Sequence, residues 1–203
     1  MNLLLVRHGE TPMNASRTLQ TEATPLSARG LAQVDALARR LSQRRVAAVV
    51  SSDLPRAWQS AGPIARACGV PLRAEALLQE RNYGELRGRA YDSLGLDPLT
   101  MAEAPPGGES ASDFRARVAM AFANVVRLAT TLDGELVVVT HGLVIREILA
   151  ACLGSESSRL PSRIANTGLT ILHGMPPHAV ACLDDTAHLQ PEQADDACSL
   201  SGG

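Results

Sequence analysis

The chain alternates short, continuous apolar runs with amphipathic segments, and this alternation restricts its fold more than any other feature. Runs such as Leu3–Val6 and Leu136–Val139 are apolar at every position, which is typical of strands buried on both faces of a sheet. Strands that alternate with helices predict an α/β fold, a three-layer sandwich with helices on both faces of a mostly parallel, doubly wound sheet. The predicted strands are Leu3–Val6, Val46–Val50, Leu136–Val139, Leu169–Leu172 and Val180–Leu183.

Helix boundaries are indicated by capping residues. Ser27 is suited to the N-cap of one helix, and Pro55 is suited to the first turn of another that can end at Gly69. The sequence Ser110-x-x-Asp113 resembles a capping box at the start of a third helix. The predicted helices are one after Ser27 with the apolar stripe Leu31, Val34, Leu37 and Leu41, one from Pro55 to Cys68, one after Ser110 with the stripe Val118, Phe122, Val125 and Leu128, and one from Val144 to Cys152.

Length and composition predict one domain followed by a tail. A chain of 203 residues has the size of a single domain, which we assign to residues 1–189. Residues 190–203 are rich in Pro, Gln, Asp, Ser and Gly and are expected to be disordered. Leu3–Val6 is too short to export the chain or to span a bilayer, so a cytoplasmic protein without a membrane partner is expected. The cysteines show no Cys-x-x-Cys spacing and are expected to be free, buried thiols: Cys68, Cys152, Cys182 and Cys198.

Every basic side chain other than histidine is an arginine, because the chain contains no lysine. This excludes a Schiff-base lysine and a P-loop. The net charge of -2 and the aromatic content of 2% argue against a nucleic-acid partner. Any phosphate must therefore be held by Arg, His, Asn and backbone N–H groups, and the planar guanidinium group matches phosphate oxygens in pairs.

Two histidines follow predicted strands. His8 comes after Leu3–Val6, and His141 comes after Leu136–Val139, the most apolar strand. The carboxyl ends of parallel strands meet at one edge of a sheet, where ligands of such folds bind. We therefore expect both histidines at this edge.

The residues around His8 suit phosphoryl transfer to its imidazole. Neutral imidazole is nucleophilic near neutral pH. It needs positive groups around the phosphoryl oxygens, a fixed tautomer and a proton donor for the leaving oxygen. Glu80 is the candidate proton donor. The candidate phosphate-binding groups are Arg7, Asn14, Arg56, His141 and Gly142, of which the last two open a helix whose N–H groups favour an anion.

Six segments, in order, resemble the histidine phosphatase superfamily, which has the phosphoglycerate mutase-like fold. One Arg-His-Gly triplet is weak evidence, but the matches extend over nearly the whole chain to Leu189, where Asp185–Leu189 is similar to a tail segment of the small phosphatases. The six segments are Arg7–Thr11 with Asn14, Pro25–Gly30, Ser51–Ala57, Glu80–Gly88, Gly107–Ser110 and Val138–Gly142.

The resemblance implies a role for each matching residue. His8 is expected to carry the phosphoryl group as phosphohistidine. Glu80 is expected to protonate the leaving oxygen and then to activate water. Arg7, Arg56 and His141 are expected to surround the phosphoryl group, with Asn14 assisting. The family needs no metal, and the sequence shows no metal-ligand spacing, so neither a metal nor another cofactor is expected.

Two departures from the family concern the loop between Asn14 and Pro25. Met13 stands where many members have tryptophan, and the loop lacks the glycine that many members carry there. This loop lies by the substrate in relatives, so the departures leave the chemistry in place and leave the substrate open.

The resemblance allows a phosphatase or a cofactor-dependent phosphoglycerate mutase. A mutase must hold a bisphosphorylated intermediate, and mutases of this superfamily carry a basic pair in an insertion before the Gly-Gly-Glu segment. The interval 89–108 has no basic residue after Arg89, which favours hydrolysis of small phosphomonoesters. Glu80–Gly84, however, is similar to the mutases. A non-catalytic phosphate-binding regulatory module is a third alternative, but both the nucleophile and the acid are present.

Within the phosphatases, Thr24–Gly30 resembles α-ribazole phosphatases, while sugar phosphates, phosphoglycerates and nucleotides stay open as substrates. A protein phosphohistidine phosphatase is less favoured, because those relatives are shorter.

Of the other histidines, His173 and His178 are interpreted as structural, and His188 is a candidate supporting residue because it lies in the tail match. The oligomeric state is not predicted.

Overall fold

The computed structural model describes residues 1–95, 97–154 and 160–194. One six-stranded sheet has the order β3-β2-β4-β1-β5-β6. Strands β1 to β4 are mutually parallel, and β5 is antiparallel to both β1 and β6. The predicted α/β sandwich with a mostly parallel sheet is therefore confirmed. The strands are β1 Asn2–Arg7, β2 Val46–Ser51, β3 Leu72–Ala74, β4 Glu135–Thr140, β5 Leu169–His173 and β6 Ala179–Asp185.

Five α-helices accompany the strands in the described residues. The short α1 begins after Thr11, which caps it together with Asn14. Ser27 and Ser110 cap α2 and α4 as predicted, and Gly69 ends α3 in the left-handed conformation. No helix of the described residues is long and apolar enough to cross a membrane. The helices are α1 Pro12–Ala15, α2 Ala28–Leu41, α3 Pro55–Cys68, α4 Ala111–Ala129 and α5 Gly142–Leu153.

Alternate residues of the central strand enter two separate cores. Leu3 and Leu5 pack with residues of α4 and α5 on one face of the sheet, whereas Leu4 and Val6 pack with residues of α2 and α3 on the other. Successive side chains of a strand point to opposite faces, so a strand covered on both sides must be apolar throughout. This is why the strand runs show no polar alternation.

Two details differ from the predictions, and the predicted tail is described only in part. Leu31, assigned to the apolar stripe of α2, is 50% exposed, because the buried face of this helix includes Gly30 and Gln33 and leaves Leu31 toward solvent. Strand β3 was not predicted, since it is three residues long with only one large apolar side chain. The predicted disordered tail is described only to Ala194, and its first residues form a 3-10 turn whose Gln193 carbonyl accepts a hydrogen bond from Gln33 Nε2. Residues 195–203, including Cys198, lie outside the described residues.

Candidate active site

His8 and His141 lie side by side at the carboxyl edge of the sheet. Strands β1 and β4 are neighbours with Arg7 opposite Thr140, so the residue after each strand falls at the same level. The two imidazole rings are 5.2 Å apart between centroids, and His8 N donates to Thr140 O at 3.0 Å. The structure thus brings together the two histidines that the strand pattern predicts at this edge.

The surroundings of His8 select its neutral form and one tautomer. The side chain is 2% exposed, and its Nδ1 lies 2.7 Å from the carbonyl oxygen of Gly9. A carbonyl only accepts, so Nδ1 carries the proton and Nε2 keeps the lone pair. Burial lowers the pKa of His8 well below its ordinary value, and the charges of Arg7 and Arg56 lower it further. The ring is therefore neutral at neutral pH, with its lone pair on Nε2.

Two buried guanidinium groups act on this imidazole. Arg7 ends β1, and its Nη1 donates to Ile164 O at 2.7 Å. Arg56 lies in the first turn of α3, and its Nη1 donates to Thr21 O at 3.3 Å. Burial is the main cause that lowers the pKa of Arg56 to about 10, so it stays charged at neutral pH. Arg56 Nε is buried without a hydrogen-bond partner among the described residues.

His141 is oriented by the hydroxyl group of the residue that follows the neighbouring strand β2. Its Nε2 lies 2.9 Å from Ser52 Oγ, which accepts a hydrogen bond from Leu54 N. When the hydroxyl proton is donated to Nε2, the neutral ring carries its own proton on Nδ1. Burial and the Arg56 charge lower the pKa of His141 well below its ordinary value. Its Nδ1 is buried without a partner in the described part of the chain. Ser52 was not singled out as a site residue from the sequence.

Glu80 is held at the start of the helix that His141 caps. Its Oε2 accepts from Leu143 N at 3.1 Å, and its Oε1 accepts from Arg81 N at 3.0 Å. Burial raises the pKa of Glu80, and this effect outweighs both hydrogen bonds and the attraction of Arg56 and Arg7. A carboxyl group that keeps its proton above the usual range is suited to protonate a leaving oxygen.

Arg117 of α4 fixes the segment that carries Glu80. Its Nη1 donates to the carbonyl oxygens of Leu77 and Gln79 at 2.8 and 2.7 Å. Its Nε and Nη2 bind both carboxylate oxygens of Glu109 at 2.9 and 2.8 Å. Arg117 was not predicted from the sequence. The available signal was its position one turn after Phe114 and next to Val118, on the buried face of the helix.

Asn14 and Gly142 lie at the same edge of the sheet, because Asn14 belongs to the short helix α1 and Gly142 begins α5. Asn14 Oδ1 accepts from Thr11 N at 3.2 Å and from Asn166 Nδ2 at 3.4 Å, so the amide oxygen is bound within the protein. Gly142 is the buried first residue of α5, where helix N–H groups point outward along the axis. In the described residues no group of three or more His, Cys, Asp or Glu side chains could hold a metal ion.

The loop after His8 depends on a close approach of two backbones. A Cβ atom at residue 30 would lie 2.1 Å from Glu10 O and 2.8 Å from Glu10 N. We expect Gly30→Ala to destabilise the fold by about 1–3 kcal/mol, because backbone atoms must move, and to lower activity by displacing the loop. Urea denaturation and phosphate release measure the two effects. Gly69→Ala is the matched control: it has open space and a positive φ, so about 1 kcal/mol is expected with unchanged kcat.

The buried histidines make stability depend on pH. The pKa values of His8 and His141 are lowered from 6.5 in the folded state. Below pH 6.5 the unfolded chain therefore binds protons that the folded chain does not. The free energy of unfolding decreases as the pH is lowered, until the pH reaches the lower pKa values of the folded state. Glu80, whose folded pKa is raised, acts in the opposite sense.

Replacing His8 by a neutral side chain separates its contribution to this pH dependence from that of His141. We expect His8→Gln to reduce the slope of the unfolding free energy between pH 6.5 and 5 by up to about 1.4 kcal/mol per pH unit, which corresponds to one proton. Urea denaturation at several pH values measures this slope. An unchanged slope would show that His8 titrates alike in both states.

The comparisons with known proteins give one matching family model and several similar proteins. The sequence matches the profile of the histidine phosphatase superfamily (branch 1) over residues 3–180. A probable phosphoglycerate mutase GpmB from Yersinia pestis is 32% identical over 164 residues, 76% of this chain and 75% of that protein. The structure of a mycobacterial glucosyl-3-phosphoglycerate phosphatase in complex with VO3 has a TM-score of 0.77 at 28% identity, covering 90% of this chain and 98% of that one. A putative alpha-ribazole-5'-P phosphatase from Escherichia coli shares the fold, with a TM-score of 0.81 at 23% identity, covering 92% and 97%.

Proposed function

The chain belongs to the histidine phosphatase superfamily, and from this premise we propose that it hydrolyses small phosphomonoesters through a phosphohistidine on His8. One observation carries the proposal. Two buried groups beside the neutral imidazole of His8, Arg56 Nε and His141 Nδ1, have no partner among the described residues. Buried polar groups are nearly always hydrogen-bonded, so an anion with several oxygens is the natural occupant.

In the first step His8 Nε2 attacks the phosphorus atom and the ester P–O bond breaks. Glu80, protonated because burial raises its pKa, gives its proton to the leaving oxygen, and an alcohol departs. Arg7, Arg56 and His141 hold the phosphoryl oxygens, whose charge they stabilise in the transition state. Asn14 and the Gly142 N–H assist as additional donors.

In the second step water attacks the phosphohistidine. The Glu80 carboxylate accepts a proton from this water, the N–P bond breaks, and His8 leaves as the neutral ring with its lone pair on Nε2. Inorganic phosphate is released, and Glu80 is again protonated. The same carboxyl group thus serves as acid and then as base.

Hydrolysis rather than isomerisation is supported by the loop beyond Arg89. Residues 90–108 contain no basic side chain and three acidic ones before Gly107: Asp92, Asp97 and Glu103. A bisphosphorylated intermediate needs a second cluster of cations, and this loop supplies none.

Mutase activity is the second candidate, favoured by the relative named as a probable phosphoglycerate mutase and by the Glu80–Gly84 sequence.

The reaction can be tested with a panel of phosphomonoesters that includes α-ribazole phosphate, sugar phosphates, phosphoglycerates and nucleotides. Phosphate release by the wild type, with His8→Ala and Glu80→Ala beside it, tests the hydrolytic proposal. A 3-phosphoglycerate assay primed with the 2,3-bisphosphate tests the alternative. Robust isomerisation with little phosphate release would replace the phosphatase assignment by a mutase.

We also propose that the reaction needs no metal, because every group in the scheme is a side chain or a backbone N–H. Dialysis against EDTA should leave kcat unchanged within about twofold, as no step is assigned to a Lewis acid. Loss of activity that Mg²⁺ or Zn²⁺ restores would contradict this. The three described cysteines, Cys68, Cys152 and Cys182, are free thiols, each only partly buried rather than buried as expected. Free thiols support the proposal of a cytoplasmic location.

A further inference from the structure

A turn before β5 holds the backbone of the nucleophile. Thr167 N donates to Arg7 O at 3.1 Å and to His8 O at 3.3 Å. Asn166 Nδ2 donates to His8 O at 3.0 Å. The carbonyl group of His8 is thus bound by two successive residues, so the orientation of this turn determines where the imidazole is presented.

Thr167 adopts a backbone conformation that its side chain disfavours. Its φ is +56°, which is the left-handed region, and a β-branched residue there is a rare exception. Such a conformation is strained and persists only when the surroundings enforce it. Thr167 is completely buried, so the groups that enforce it must be its own contacts.

His188 contacts the hydroxyl group of Thr167. Thr167 Oγ1 lies 2.7 Å from the carbonyl oxygen of Asn166, to which it donates its single proton. The same oxygen therefore accepts at its other contact, 3.0 Å from His188 Nε2. His188 is then neutral with its proton on Nε2 and its lone pair on Nδ1. The contact of Nδ1 is consistent with this tautomer, because Nδ1 faces the donor Arg40 Nη1 at 3.5 Å.

Arg40 and Asp185 are the charged groups next to the ring of His188, and Arg40 favours its neutral form. Arg40 of α2 lies against Nδ1 and also binds the carboxylate of Asp185. Asp185 Oδ1 accepts from Ala187 N at 2.8 Å, which shapes the tail segment in front of His188. Burial, with Arg40 second, lowers the pKa of His188 to about 4, although Asp185 opposes this. The donor at Nε2 is therefore present from mildly acidic to neutral pH.

We propose that His188 is a positioning residue for the transfer of the phosphoryl group. Its hydrogen bond holds Thr167 in the left-handed conformation, and Thr167 in turn holds the backbone of His8. The inference rests on the proposed function and deepens it, because it gives the tail segment Asp185–Leu189 a part in the reaction. His188 itself contacts none of the reacting groups.

The first test compares two replacements of His188. We expect His188→Ala to lower kcat about 10- to 100-fold, which is the effect of a nucleophile misplaced by about an ångström, and to change KM by less than about twofold, because Arg56 and His141 keep their places. His188→Gln presents an amide N–H at the position of Nε2 and should restore most of the rate. His173→Ala, at the opposite end of the sheet, is the control and should keep the wild-type kcat.

A double-mutant cycle separates positioning from general stability. Thr167→Gly adopts the positive φ without strain and removes the hydroxyl group, so His188→Ala should cost less than about threefold in kcat in this background. Coupled residues are expected to show this non-additivity. Thr167→Val keeps the shape, removes the acceptor and should reproduce the loss of His188→Ala. Equal losses in both backgrounds, or a lower melting temperature with wild-type kcat in the folded protein, would overturn the proposal.

A readout without turnover distinguishes this inference from the proposed function. Two-bond ¹H–¹⁵N spectra report the imidazole signals of His8 directly. We expect these signals to shift in His188→Ala and to stay unchanged in His188→Gln and His173→Ala. If the wild type released no phosphate from any ester, the proposed function would fail, whereas the spectra would still decide whether His188 positions His8. Unchanged His8 signals in His188→Ala would overturn the positioning role.

Discussion

Replacement of His8 by alanine is expected to abolish phosphate release, with kcat lowered on the order of 10⁴- to 10⁶-fold, the range seen when an enzyme loses its nucleophile. The reason is that the proton of the neutral His8 ring is on Nδ1, which leaves the lone pair of Nε2 for the phosphorus atom. The His141 ring lies beside it, but its Nε2 is bound to Ser52 Oγ. The measurement is steady-state phosphate release from the best ester of the panel.

A trapping experiment tests the same prediction through its intermediate. Brief reaction with a ³²P-labelled ester should label the wild-type chain with a bond that survives alkali and breaks in acid, as a phosphoramidate does. His8→Ala should take up no label, while His178→Ala, a buried histidine next to Phe122, should be labelled like the wild type. Labelling of the His8→Ala chain would place the nucleophile elsewhere.

Replacement of Glu80 by glutamine has the second-largest expected effect. General acid catalysis contributes about 10²- to 10⁴-fold, so kcat for alkyl phosphates should fall by that amount. The loss should be smaller for p-nitrophenyl phosphate, because its leaving oxygen is stable without a proton. With this substrate phosphoenzyme should accumulate in Glu80→Gln, since the attacking water has lost its base. An equal loss for both esters would contradict the role of Glu80 as acid.

The pH dependence of kcat/KM follows from the same two groups. His8 must be neutral, and its pKa is lowered from 6.5, so the acid limb should lie below that value. Glu80 must be protonated, and its pKa is raised from 4.5, so the alkaline limb should lie above that value. We expect a bell-shaped profile whose alkaline limb disappears in Glu80→Gln. A persisting limb would assign the acid to another residue.

Much of the fold could be predicted because its signals are local. Four of the five predicted strands are continuous apolar runs, and the fifth, Leu169–Leu172, is interrupted only by Thr170. The observed strands extend the predicted ones by at most two residues at either end. Strand β3 has no such signal, because its three residues are held at the edge by pairing with β2. Leu31 was misplaced because the face that α2 buries is set by the approach of Gly30 to Glu10, a contact that periodicity does not encode.

For the candidate site, the order of residues along the chain was enough to place the two histidines. The residue after a strand lies at the strand's end in any fold, so the apolar runs before His8 and His141 predict both at one edge of the sheet. The contacts that orient the site residues, in contrast, follow from tertiary packing. Arg117 is hydrogen-bonded to the carbonyl oxygen of Glu80, 37 positions earlier in the sequence. His188 contacts the hydroxyl group of Thr167, 21 positions earlier. Such contacts depend on how distant segments pack, and burial by that packing shifts the pKa values of His8 and Glu80 in opposite directions.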